Sequence, residues 1–141
     1  MLCNWPNMER MEETSKLLKD YDKSDELFSQ PGVSVVRGVK QLHHVCGAVK
    51  KLFKIGVAHD VLKRWWGYTD RNGKYVPPLM RDFKALHVAV VQNNFEASAA
   101  EKELIGTWSA SRLCLNVTKG GDTINMQEVT SPYFVYVACK G

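Results

Sequence analysis

The residues whose types and spacing invite chemistry lie in two stretches. In the first, Leu52-Phe53-Lys54-Ile55 reads as a short β-run, and Gly56 lets the backbone come close to a neighbour. Asp60 is a good N-cap for a short helix whose apolar side carries Val61, Leu62, Trp65 and Trp66. Arg64 and Tyr68 stand four apart, so a helix running through both presents them on one face. A strand, a glycine, a capped helix and an arginine make a platform for a phosphate, whose oxygens a guanidinium grips in a bidentate fork. The same spacing also allows a plain surface pair between Asp60 and Arg64.

The second stretch is a helix from Phe95 to about Trp108, capped by Asn94. Ala97, Ala100, Leu104, Ile105 and Trp108 form its apolar stripe, and Glu101 falls inside that stripe while Glu96 and Glu103 point elsewhere. A carboxylate on a buried face has to be paired with a cation or bound to a metal. Glu101 is therefore expected either in a buried salt bridge or as a ligand to a hard divalent ion.

Other elements must position these groups. Val33 to Val39 and Leu42 to Cys46 read as β-type runs broken at Gly38, with Gly47 to Lys51 a turn into the Leu52 to Ile55 strand. An antiparallel hairpin centred near Val49 sets His44 opposite Lys54 and on the same face; a register slip of one residue puts His43 there instead. His44 or Tyr68 would then take a proton from water. His59 and His87 have no partner at a useful spacing and read as structural. Thr69 to Pro78 is a loop turning at Asp70-Arg71-Asn72-Gly73, Lys84 to Gln92 a third strand, and Pro132 to Lys140 a last strand, placed at an edge by Pro132. Residues 7–29 read as one helix or two, stopped at Gln30-Pro31-Gly32. Their weak apolar stripe would pack on the domain or on a second copy in a homodimer.

Lys54-Ile55-Gly56, with Arg64 eight residues after the glycine, resembles the second half of the signature of the GIY-YIG nuclease superfamily. Glu101 stands where that family has a metal-holding glutamate on a later helix, and Asn116 matches an asparagine found beyond it. The resemblance spans roughly residues 40 to 120. Lys54 takes the place of the triplet's tyrosine, as in some restriction-enzyme-like members, and no GIY triplet precedes it. The resemblance implies a metal-dependent endonuclease hydrolysing DNA phosphodiester bonds with Mg2+ or Mn2+ on Glu101. It implies that His44, Lys54, Arg64, Tyr68 and Glu101 converge on one phosphate, with Arg64 and Glu101 on the same side of the sheet and His44 at the first-tyrosine position. The expected fold is α+β, a small, mostly antiparallel three-stranded sheet flanked by helices. The alternative is a module on the same fold that binds nucleic acid or protein without cutting.

Composition frames both readings. The 141 residues suit one domain, with residues 1–30 a helical arm, 33–121 the core and 122–141 a C-terminal strand extension. Residues 31–91 carry 11 basic against 3 acidic side chains, whereas residues 1–30 carry 4 against 7. Such a concentration is the footprint expected for a polyanion partner, with Lys50, Lys51, Lys63, Arg71, Lys74, Asn116 and Lys119 as candidate nucleic-acid contacts. Cys3, Cys46, Cys114 and Cys139 form no CxxC pair, which argues against a zinc site or a disulfide framework. With no apolar run long enough for a membrane span and no signal-peptide pattern at the start, an intracellular setting, cytoplasmic or nuclear, is expected.

Overall fold

The computed structural model describes residues 13–116 and 130–141, the side chains of Met80, Thr130 and Ser131 excepted. After helical residues 13–17 come α1 (Ser24–Ser29), β1 (Val33–Val35), α2 (Val39–Ala48), β2 (Phe53–Ala58) and α3 (Val61–Trp66). A small hairpin follows, β3 (Tyr68–Thr69) and β4 (Tyr75–Val76), then a 3-10 turn at Leu79–Arg81. The chain continues with β5 (Ala85–Asn93), α4 (Asn94–Trp108) and β6 (Thr130–Cys139).

The main sheet has four strands in the order β1-β5-β6-β2. β1 runs parallel to β5, and β6 runs antiparallel to both β5 and β2. The expected three-stranded, mostly antiparallel sheet is thus corrected to a mixed four-stranded one. Parallel pairing of β1 with β5 requires a long crossover, and the intervening helices and β2 provide it.

Strand alternation splits the core in two. Phe53, Ile55 and Val57 of β2 and Tyr133, Val135, Val137 and Cys139 of β6 pack with Leu42 and Cys46 of α2 and with Ala97, Ala100, Leu104 and Ile105 of α4. On the other face Leu86, Val88, Phe134, Tyr136 and Ala138 pack with Leu18, Leu27 and the α3 residues Val61, Leu62 and Trp65. Helices therefore cover both faces.

Residues 39–48 are a helix, not the second half of a β-run. Val39, Leu42, Cys46 and Val49 recur at three- and four-residue steps, and Leu42 and Cys46 are buried. That period outweighs the β-preference of the valines. No hairpin joins 39–48 to β2, so His44 does not lie opposite Lys54, and neither does His43. Lys54 pairs with Ala138 of β6.

The capped helix at Asp60 forms, but α3 has only six residues and stops at Gly67, whose φ is 86°. A Cβ there would also meet Pro78 and the Tyr75 hydroxyl, so glycine alone suits the stop. Tyr68 consequently belongs to β3, and it does not share a helical face with Arg64.

The last strand is not at an edge. β6 lies between β5 and β2, and its Phe134 to Ala138 side chains are 0% exposed. Pro132 is tolerated because the register against β5 shifts between Val91 and Asn93, leaving an extra β6 residue beside the proline, and because β2 pairing begins only at Phe134. The free edge of β2 is covered by residues 113–116. Phe53 N–H donates to Leu113 O, Leu115 N–H donates to Phe53 O, and Phe53 forms a parallel bridge with Cys114.

Candidate functional site

Where β2 ends and β6 begins, His59 and Tyr133 come together. β2 stops at Ala58, paired with Phe134, so His59 and Tyr133 both lie just past this pairing, at the same end of the two strands. His59 is exposed and its ring centroid is 5.5 Å from that of Tyr133. His59 Nδ1 lies 3.0 Å from Pro132 O. A carbonyl only accepts, so Nδ1 carries a proton, and in the neutral ring the lone pair is then on Nε2.

The Tyr133 phenol is 7% exposed and is pushed above its ordinary value, chiefly by burial. The Arg64 charge opposes that shift and the Glu101 charge adds to it. Both charges thus act on one phenol, although α3 and α4 pack on opposite faces of the sheet. This corrects the expectation that Arg64 and Glu101 lie on one side of the sheet: α3 packs on one face and α4 on the other. Tyr133 stays protonated around neutrality and can donate, but it is a poor base.

Arg64 is delivered by a short helix with a strong cap. Asp60 accepts from Lys63 N–H at 3.3 Å, from the Tyr21 hydroxyl at 2.8 Å and from Lys23 Nζ at 3.0 Å. Burial pushes this carboxyl up, but these donors outweigh it, so Asp60 titrates below its ordinary range. The cap engages Lys23 rather than Arg64, which leaves the expected Asp60–Arg64 surface pair without a role.

Glu101 is 1% exposed, on the sheet-facing side of α4, while Glu103 is 71% exposed in its side chain. The helix phase read from the apolar stripe therefore holds. The cap is one residue earlier than expected: Asn93 Oδ1 accepts from Glu96 N–H.

The structure does not gather the remaining expected residues here. His44 lines a depression with Ala85, His87, Cys139 and Gly141, at the opposite end of β6. Its neighbour His43 accepts from Trp108 Nε1 at 3.0 Å. Lys54, half-buried, lies five β6 positions from Tyr133, about 17 Å along the strand. Tyr68 sits under the Lys63 ammonium, 5.8 Å from its ring centroid. Asn116 is a clamp: its Oδ1 accepts from Ile55 N–H at 2.8 Å and its Nδ2 donates to Ile55 O at 2.9 Å, so both ends of the amide are used on β2.

Lys50, Lys51, Lys63, Arg71 and Lys74 are all exposed, but they do not form one stripe. Lys50 and Lys51 precede β2, where Gly141 packs on Lys51, and Arg71 and Lys74 sit on the β3–β4 turn. Lys119 lies outside the described residues. Cys46, Cys114 and Cys139 are free and buried, and Cys46 is pushed up to about 12 by burial and by the two other thiols, so it is no thiolate. Among the described residues no group of three or more His, Cys, Asp or Glu side chains could hold a metal, and no helix is long and apolar enough to cross a membrane.

Two members of the site were overlooked in the sequence. Tyr133 stood in a strand taken for an edge. His59 had no partner because that partner is a backbone carbonyl 73 residues away. The chain matches no protein-family model, no curated protein and no solved structure.

Proposed function

We propose that the chain is a metal-dependent endonuclease that hydrolyses DNA phosphodiester bonds at the end of β2. One observation carries this reading: just past the end of β2 an exposed His59 stands against Tyr133, and the Asp60-capped helix that bears Arg64 follows directly in the chain.

Each residue has a distinct task. Arg64 grips the phosphate and neutralises charge as it builds on the oxygens. The Tyr133 hydroxyl donates to a phosphate oxygen or orients the attacking water. Among the described residues no group of three or more His, Cys, Asp or Glu side chains could cage an ion, so an ion here would take one carboxylate and complete its shell with water and the substrate phosphate. Glu101 would hold that Mg2+ or Mn2+, which supplies Lewis-acid polarisation of the phosphate when bound. Lys63 on α3 and Arg71 and Lys74 on the hairpin that follows it add positive charge on the segment that carries Arg64.

Incubating the full chain with supercoiled plasmid, with and without Mg2+, tests the reading. Glu101→Gln should abolish metal-dependent nicking and Glu103→Gln should not. Arg64→Ala should bind DNA within a few-fold of wild type yet cut it at least about a hundredfold more slowly, the usual loss of a preorganised donor. Cleavage by Glu101→Gln at the wild-type rate would remove the metal role, and a wild type that nicks nothing would favour the non-cutting module.

A further inference from the structure

We infer that His59 is the general base of this site, taking the proton of the attacking water on Nε2. The inference rests on the nuclease reading above and adds to it a residue whose spacing suggested only a structural role. Three observations carry it. The Nδ1 hydrogen bond to Pro132 O fixes one tautomer and aims the opposite nitrogen away from the strand backbone. The ring is exposed, so water reaches Nε2 without a conformational change. It also stands beside Tyr133, on which the Arg64 and Glu101 charges act.

Elimination points the same way. Tyr133 is held protonated by burial, so it is a donor. His44 and His43 lie with α2 and the far end of β6. Glu101 is 1% exposed, whereas His59 is exposed. Among the described residues, the titratable groups shown beside His59 are Asp60, next in the chain and occupied by Tyr21 and Lys23, and Tyr133 on β6, whose phenol feels the charges of Arg64 on α3 and Glu101 on α4.

The step balances simply. The Nε2 lone pair takes a proton from water as the water oxygen forms a bond to phosphorus. The bond from phosphorus to the leaving sugar oxygen breaks with its electron pair, and that oxygen takes a proton from solvent. The imidazolium returns its proton to solvent, leaving a phosphomonoester and an alcohol.

Single-turnover plasmid cleavage by the full chain from pH 5 to 9 tests this. His59→Asn can still donate to Pro132 O but has no base nitrogen. It should melt and bind DNA like wild type, cut at least about a hundredfold more slowly at neutral pH, and lose the rising limb that an imidazole base imposes between about pH 5 and 8. Should His59→Asn cut at the wild-type rate, or cut slowly with the wild-type pH profile intact, the inference is overturned while the nuclease reading stands. If wild type itself is silent on plasmid, both fall together. Nitrogen-15 chemical shifts of the His59 ring offer a check independent of turnover. They should report the neutral tautomer protonated on Nδ1, and the opposite tautomer would sink the proposal.

Discussion

Asp60 shows how one carboxylate can tie together segments far apart in the chain. Its three donors bind the N-terminal segment, through Tyr21 and Lys23, to the start of the helix that presents Arg64. Because the folded-state pKa is depressed, the stabilisation is present above the ordinary carboxyl value near 3.9 and fades as pH falls through the lower folded value. Asp60→Asn keeps a capping oxygen but loses the charge that Lys23 and the Tyr21 hydroxyl face, so it is expected to cost about 1.5–3 kcal/mol at pH 7, the range for hydrogen bonds to a charged group. Urea midpoints of the two proteins should converge below about pH 4. A gap unchanged at acid pH would mean that the charge contributes nothing. At this scale the sequence was legible where a side chain's own helix decides its environment. Asp60 as cap and Glu101 as the buried carboxylate follow from local phase, whereas Tyr133 and His59 depend on contacts between distant segments.

The elements repeat that division. β2, α3, β5 and α4 were legible because each carries its own period or cap, but α2 was not. Its valines favour strand, and its helical phase becomes visible only once Leu42 and Cys46 have a sheet to pack on. Losing the supposed hairpin removed His44 from the site and left β2 to pair with β6. That pairing is tight at Gly56, where a Cβ would fall 2.4 Å from the Tyr136 ring and hydroxyl. The ring is fully buried and cannot move aside cheaply. Gly56→Ala is thus predicted to destabilise the protein by about 1–3 kcal/mol, the usual cost of overpacking, seen as a lower melting temperature. Adding Tyr136→Phe, which removes the nearest hydroxyl, should recover part of that loss. If the double variant melts no higher than Gly56→Ala alone, the clash lies elsewhere.

For the whole molecule, the distribution of charge and the place of the last strand matter most. Basic side chains occur at both ends of β2 and on the β3–β4 turn, so a bound duplex would be held at several phosphates. The logarithm of affinity should then fall against the logarithm of salt with a slope near −0.9 per phosphate contact, and Lys63→Ala or Lys74→Ala should each reduce the steepness by about that amount. A flat response would instead favour a protein partner. The C-terminal strand yields the sharper test, because an edge extension and a central strand have opposite consequences. An edge strand can be removed at the cost of its own contacts. β6 separates β5 from β2, so its loss leaves both without their antiparallel partner and opens both faces of the core. Phe134, Val135 and Val137 are each 0% exposed. At about 1.5–3 kcal/mol per buried side chain, these three alone approach the about 5–15 kcal/mol that holds an ordinary domain together. A chain ending at residue 129 should accordingly show no cooperative thermal transition, and adding residues 130–141 as a separate peptide should restore one in proportion to its concentration. Cooperative melting of the truncated chain at the full-length temperature would return β6 to the edge and detach Tyr133 from the site.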